Sequence, residues 1–485
     1  MSATPLSSLQ KILAVLILLV VVFFSLFHLT ESPPFGFDEG WAFHLATNIS
    51  RVGESVTQFS PGHLEHSSLI SVGYPLLYPL ASWFKLFGIG ILQARLMMVL
   101  YMFAFLIVSF ILLRRLYGNT IALGSLAILA TFPPFYTFGK SVIGEVSVLF
   151  FLTLFLLFFN LATSNPEKKR FWFILAGISA GLCIVTKTMA LAFIPVLFVG
   201  AILAFRKGLV SLKDIGIVAI SVIIPIGVWI IVNFQPENSL IVALDYYSNP
   251  SVLTDRAATF WLNLRMFFSG IGPLFMLSLI TAWIMGVAIR LKAKMKISIE
   301  ESIALIFSVV LILSFLFRYW DARYLFPVQI LGILFAPYSL YYILLALPIK
   351  LNLAKKTKIF LLGMVVLFGA GLYQLSFHSY IPDSYKSKRT EDMSEYFSSV
   401  PDSTSIFFYN TPEALAFFHG SNYYQQIQIS EKWFLGSDFS EAINDRQVDM
   451  LVINWLAKKD KGVSLGNYMK VAEFGKILIL KRETK

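Results

Sequence analysis

Eleven apolar runs, each of about 17 to 25 residues, decide what this chain can fold into. They fall at about 11–28, 92–113, 119–138, 143–162, 171–186, 189–205, 213–234, 267–290, 301–317, 326–347 and 358–377. Hydrocarbon offers no partner to a backbone N–H or C=O, so runs of this length read as membrane-spanning helices. The composition agrees: 57% hydrophobic, 14% charged and a mean hydropathy of +0.73 lie outside the range of soluble globular proteins. The net charge of +11 does not point to nucleic acid, because the basic residues gather in short loops between apolar runs.

Alternate loops divide those basic residues unevenly. One set holds 17 Lys and Arg, the other 9 up to residue 377. The positive-inside rule then predicts a cytoplasmic N-terminus, with the loop after the first run and the C-terminal tail outside. The first run has a basic start but no small-residue cleavage site, so it reads as a retained helix rather than a signal peptide. The single cysteine, Cys183, excludes an intramolecular disulfide. Leu69 to Leu92 is apolar but carries Pro75 and Pro79, which favours a short interfacial helix over a twelfth span.

About 60 residues separate the first two spans, far more than an ordinary connection needs. Trp41, Leu45, Ile49 and Val52 recur there at helical spacing, which predicts an amphipathic helix lying on the outer membrane surface, and Pro75 to Phe87 predicts another. The loop opens with Pro34-Phe35-Gly36-Phe37-Asp38-Glu39-Gly40-Trp41, placing two adjacent carboxylates where the first span meets water. Asp38 has two compatible readings: an acid kept at the boundary for chemistry, or the N-cap of a helix beginning near Gly40.

The other outward features are few. They include Lys140, Glu145 after Pro133-Pro134, and Lys187 in Val-Thr-Lys-Thr-Met. Asp245, Tyr246, Tyr247 and Asp255 follow in a loop of about 30 residues, and Arg318-Tyr-Trp-Asp-Ala-Arg323-Tyr324-Leu-Phe-Pro327 joins two spans. Beyond about His378 the composition becomes that of soluble protein, with 13 Lys and Arg against 14 Asp and Glu. Strands at Ser405–Tyr409 and Asp449–Asn454, helices at 392–397, 413–419 and 440–445, and a hairpin turning at Gly475 predict a small α/β domain. Residues 1–377 then form a membrane core and 378–485 an extracytoplasmic domain.

Outward carboxylates beside outward cations suit transfer from a phosphorylated donor. An acceptor hydroxyl needs a base, which Asp38 supplies, and the departing phosphate needs cations. Arg323 offers a planar fork of donors and Lys187 a point charge. The plainer reading of both is a basic side chain snorkelling from a helix end, with Asp321 as a partner for Arg323. His63, Glu65 and His66, with Asp38 or His44, have the ligand types of a zinc site, although His-x-x-His on a loop is a weak signal. Trp41, Tyr74, Tyr78 and Trp320 are outward aromatics able to stack on a sugar.

Several motifs fall in a characteristic order. They are Phe-Asp38-Glu39-Gly-Trp, Gly73-Tyr74-Pro75-Leu-Leu-Tyr-Pro-Leu, Arg95-Leu, Pro133-Pro134 to Glu145, Ala176-Gly…Gly181-Leu…Thr-Lys187-Thr, and Arg323-Tyr324-Leu-Phe-Pro327. The chain from about 11 to 377 thereby resembles the multispanning GT-C glycosyltransferases that take sugar from a polyprenyl phosphate, in the branch of protein O-mannosyltransferases and bacterial aminoarabinose transferases. The resemblance implies a GT-C-like fold of about eleven transmembrane helices with interfacial helices in the first outer loop. It also implies inverting transfer to a lipid, glycan or protein acceptor at the outer face of the plasma membrane. Asp38 matches the family's catalytic base and Glu39 its neighbour. Lys187, Arg323 and Tyr324 match positions facing the donor phosphate, and Glu145 matches a second acid. Trp41, His44, Tyr74 and Glu65 fall among the expected substrate contacts. The family often carries Lys-Pro-Pro where this chain has Gly73-Tyr74-Pro75. No cofactor is implied with certainty; a divalent cation stays open, with Asp38, His63 and His66 as candidate ligands. The competing functions are a transporter or flippase, which predicts internal symmetry and ionisable groups within the membrane, and a non-catalytic envelope assembly subunit.

Overall fold

The computed structural model describes residues 5–66, 72–233, 256–268, 271–318, 322–347, 352–379, 386–426, 448–454, 465 and 467–483. Among the described residues, ten helices are long and apolar enough to cross a membrane. An eleventh span arises if Asn119–Ala130 and Pro133–Lys140, bent by 72°, count as one. The chain is a multi-pass membrane protein. Its spans follow the expected ones within a few residues, from α1 (Ser8–Leu26) onward. The bent pair, α5 and α6, departs from a straight helix because Pro133 and Pro134 cannot continue one and begin the next instead.

The first outer loop contains α2 (Phe37–Val52), the hairpin β1 (Val56–Ser60) and β2 (His63–His66), and α3 (Tyr74–Phe87). At 14 residues, α3 is too short to span, as its prolines predict. The long α4 (Ile91–Tyr117) follows, then α7 (Glu145–Ser164) and α8 (Lys169–Thr186). A 3-10 turn at Thr188–Ala192 leads into α9 (Phe193–Arg206), and α10 spans Leu212–Asn233. After the 11-residue α11 (Arg256–Met266), the remaining long helices are α12 (Ile271–Lys292), α13 (Ile299–Arg318), α14 (Phe326–Ala346) and α15 (Leu353–Tyr373). A 3-10 turn, Ala322–Leu325, separates α13 from α14.

The C-terminal segment folds as a five-stranded sheet of order β4-β3-β5-β7-β6, with α16 (Arg389–Ser398) before it. β3 (Ile406–Tyr409) lies between parallel neighbours β4 (Tyr423–Gln426) and β5 (Met450–Asn454), and β5 pairs antiparallel with β7 (Ile477–Arg482). All four residues of β3 are buried, as expected for a central strand covered on both faces. β6 (Tyr468–Phe474) and β7 form the expected hairpin, with Gly475 at φ 62°. The expected helix 413–419 shortens to α17 (Pro412–Leu415). The segment 440–445, Asp245, Tyr246, Tyr247, Asp255, Trp320 and Asp321 lie outside the described residues.

One expectation is corrected. α2 does not lie open on the membrane surface: Glu39 through Ile49 are all buried. Its amphipathic pattern is overridden because the sheet domain covers it through α17. A Cβ on Gly40 would stand 2.5 Å from the Glu413 backbone, so only glycine permits this approach. Gln58 of β1 adds a second tether, donating to the carbonyls of Ser421 (2.8 Å) and Tyr423 (3.1 Å).

This contact makes stability sensitive to pH. Burial pushes the Glu413 carboxyl up to about 7; Asp38 raises it further, while Arg389 and Lys476 oppose the rise. A carboxyl whose pKa is raised by folding binds its proton more tightly in the folded state. It therefore favours folding at low pH, and that contribution is lost as pH climbs from the ordinary carboxyl range through about 7. The thermal midpoint of the protein should fall between pH 5 and pH 8, and Glu413→Gln should flatten the profile by up to about 3 kcal/mol. An identical profile in the Gln variant would assign the pH response to another group.

Candidate active site

Four charged side chains from four separate segments meet where α2, α7, α8 and the Ala322–Leu325 turn converge. Asp38, in the first turn of α2, pairs through Oδ2 with Nη1 of Arg323. The helix begins two residues earlier than an Asp38 N-cap requires: Gly36 is the N-cap, and the Asp38 side chain is left for Arg323. Arg323 Nε also lies 3.7 Å from Glu145 Oε1. Glu145 in turn accepts from Lys187 Nζ at 2.5 Å, and Lys187 donates as well to the Ile143 carbonyl at 2.6 Å. The four charges thus alternate in sign along one chain of contacts.

Local backbone explains each placement. Gly144 at φ 89° turns the chain so that Glu145 opens α7, where the helix dipole favours a carboxylate. Lys187 is extended (φ −154°) between α8 and the following 3-10 turn, so its side chain leaves the helical stack and points toward Glu145. Lys187 is also bridged to Val72, which ties it to the first outer loop. Arg323 is raised on its own 3-10 turn ahead of Pro327, with its guanidinium 5.4 Å from the Tyr324 ring.

Access separates the members. The side chains of Glu145 and Lys187 are 0% and 5% exposed, whereas Asp38 and Arg323 are 37% and 19% exposed. An incoming reactant therefore meets Asp38 and Arg323 first, while Glu145 and Lys187 form their support.

Glu39, expected beside Asp38 in the catalytic pair, is held in a buried ion pair. Its two oxygens accept from Arg95 Nε (2.8 Å) and Nη2 (2.7 Å), and Oε1 also accepts from the Val142 amide at 3.3 Å. With its side chain 3% exposed and both oxygens accepting, this carboxylate is far less accessible than Asp38. Trp41 is buried and stacked on His44. His44 accepts from the Asn48 amide (3.1 Å), and burial, helped by Arg51, holds its ring down at about pKa 4. The Tyr74 hydroxyl donates to the Pro225 carbonyl on α10. Glu65 stands exposed on β2, paired with His63 at 3.1 Å, and His66 faces Glu54 at 3.4 Å. The described residues contain no group of three or more His, Cys, Asp or Glu able to hold a metal ion, so Asp38, His63 and His66 are not brought together.

The sequence reading missed the Glu39–Arg95 pair and the burial of α2. The signal for the second was Gly40, a residue without a side chain between two acids and a tryptophan.

Residues 75–230 match the family model for dolichyl-phosphate-mannose-protein mannosyltransferase. No curated protein matches the sequence significantly. Among solved structures, ArnT from Cupriavidus metallidurans bound to undecaprenyl phosphate superposes with a TM-score of 0.63 at 16% identity, over 96% of this chain and 97% of that one. Its apo state gives 0.64 at 16% identity, over 98% of each chain. The archaeal oligosaccharyltransferase AglB from Archaeoglobus fulgidus, in complex with an inhibitory peptide and a dolichol-phosphate, gives 0.57 at 13% identity, over 93% of this chain and 70% of that one. The chain has the fold of the GT-C glycosyltransferases, and its segment 75–230 carries the mannosyltransferase family pattern.

Proposed function

We propose that the protein is an inverting glycosyltransferase that moves a sugar from a polyprenyl-phosphate donor to an acceptor at the outer face of the membrane. The observation that carries this is the half-open Asp38–Arg323 pair at the membrane boundary, supported from beneath by Glu145 and Lys187. Asp38 takes the proton from an acceptor hydroxyl as its oxygen bonds to the sugar's anomeric carbon. The bond from that carbon to the phosphate oxygen breaks, and the polyprenyl phosphate leaves with the electron pair. Arg323 neutralises the charge growing on the phosphate. Glu145 and Glu39 are both engaged in buried ion pairs, so neither is placed as a second nucleophile, and a single displacement inverts the anomeric centre.

Several parts of this reading belong to the proposal. The N-terminus is cytoplasmic, residues 378–485 form the outer domain, and the acceptor is a lipid, glycan or protein. A transporter or flippase is less well supported, since the buried Arg290–Glu301 pair and the four site charges lie near helix ends.

Mass spectrometry of surface glycolipids and glycoproteins from cells with and without the gene tests the activity directly. One sugar addition should disappear and its polyprenyl-linked form accumulate; unchanged glycans with no lipid-linked sugar build-up refute it. Arg323→Lys keeps the charge but removes the fork, so the donor KM should rise about tenfold with a smaller change for the acceptor. Initial-rate kinetics in both substrates check the split.

A further inference from the structure

The Lys187 amine ends a flexible four-carbon stem, and such a stem holds one geometry on Glu145 only if its own backbone is fixed. The helix before it does not supply this, since α8 ends at Thr186 and Lys187 is already extended, at φ −154° and ψ 143°. The two residues ahead of α3 do. Val72 pairs with Lys187 as an antiparallel bridge, and the Gly73 N–H donates to the Thr186 carbonyl at 2.8 Å. Val72 is buried, and it packs with the Lys187 stem on the turn before α7: a Cβ on Gly144 would stand 3.6 Å from Val72 Cγ1 and 3.6 Å from Lys187 Cδ.

This approach is closer than a side chain at 73 allows. A Cβ there would overlap the Val185 carbonyl oxygen and lie 3.0 Å from its carbonyl carbon. Gly73 has φ −92° and ψ 179°, a conformation open to any residue, so the position needs room rather than backbone freedom. The same turn is held from two other sides. The Tyr74 hydroxyl donates to the Pro225 carbonyl on α10 at 3.3 Å, and the Tyr101 hydroxyl on α4 donates to the Pro75 carbonyl at 2.9 Å. Withdrawing residue 73 from α8 to admit a methyl group would disturb these contacts together with the bridge to Lys187.

We infer that Gly73 is a positioning residue for Lys187: by letting the first outer loop close on the end of α8, it sets the amine between the Ile143 carbonyl and Glu145, and through Glu145 it steadies Arg323. Its effect on the donor phosphate rests on the transfer reading above; its hold on Lys187 does not.

The test uses the full-length protein in phosphatidylcholine nanodiscs, with undecaprenyl phosphate as the probe. Gly73→Ala should weaken its binding about tenfold, the loss expected for one contact to a charged group. Lys187→Gln removes the charge but leaves an amide to donate to Glu145, and should weaken binding to a similar extent. The double variant should bind no more weakly than Lys187→Gln alone, because both changes act on one contact. Gly286→Ala, whose Cβ would crowd Ser339 on α14, controls for crowding and should leave binding unchanged. In a second measurement, acetylation by N-hydroxysuccinimidyl acetate, read by peptide mass spectrometry, should reach Lys187 faster in Gly73→Ala than in wild type, with the buried Lys140 unaltered. If Gly73→Ala does not fold, Val72→Ala takes packing from the Lys187 stem without crowding α8 and should give smaller changes in both measurements, with the same non-additivity.

The proposal is overturned if a folded Gly73→Ala protein matches wild type in both measurements, if the losses multiply in the double variant, or if Lys140 becomes reactive along with Lys187. A wild type that does not bind undecaprenyl phosphate sinks the donor reading and leaves the acetylation comparison to decide Gly73. Binding by wild type, with Gly73→Ala indistinguishable from it, keeps the donor reading and removes Gly73.

Discussion

Asp38→Asn should lower the transfer rate by about 10²- to 10⁴-fold while leaving the fold intact, the range expected when a positioned general base is removed. The asparagine carbonyl can still accept from Arg323, so the geometry of the turn at Ala322–Leu325 is preserved and only the capacity to take a proton is lost. Donor affinity should hold or improve, because Arg323 no longer divides its charge between a carboxylate and the incoming phosphate. The two effects separate in steady-state kinetics: kcat collapses while the donor KM stays level or falls. Full activity in a protein with an unchanged thermal midpoint would falsify the assignment of Asp38 as the base.

Most of the membrane fold was legible because hydrocarbon permits one solution for a long apolar run, and run length alone marks it. The short α3 was legible from local signals: Pro75 sits in its first turn, and Gly88 at φ 89° ends it after 14 residues. Local chemistry also marked the Gly475 hairpin. The acids and cations that meet at Asp38 could be singled out from sequence because charged residues in the loops expected to face outward are few. Their partners could not, because pairing depends on contacts across hundreds of residues, such as Asp38 to Arg323. α2 shows the limit most clearly. Its apolar spacing fits a surface helix and a buried one equally well, and the outcome was decided by a covering element nearly 400 residues away, at Pro412 and Glu413. His63, Glu65 and His66 show another: the strand alternation puts His63 and Glu65 on one face of β2 and His66 on the other, and among the described residues no three such groups converge.

The Glu39–Arg95 pair should prove to be what aims Asp38. Arg95 is 0% exposed and also donates to the carbonyls of Leu29 (2.8 Å) and Thr30 (3.1 Å). The pair therefore joins the exit of the first span, the first turn of α2, the start of α4 and, through the Val142 amide, the turn before α7. Glu39→Ala strands a buried guanidinium and should cost about 3–5 kcal/mol of stability, as breaking one side of a buried ion pair usually does. Glu39→Leu with Arg95→Met removes both charges and fills similar volume, so stability should largely return. Transfer should not return with it. Asp38 directly precedes Glu39, and with the tether to α4 and Val142 gone the carboxylate is no longer held at a fixed distance from Arg323; a displacement near 1 Å is enough to cost about 10²-fold in rate. Thermal unfolding and transfer assays on the wild type, both single variants and the double variant provide the comparison. A double variant recovering activity in step with stability would reduce the pair to a structural fastening, whereas recovered stability with lost kcat identifies it as the part that sets the base in place.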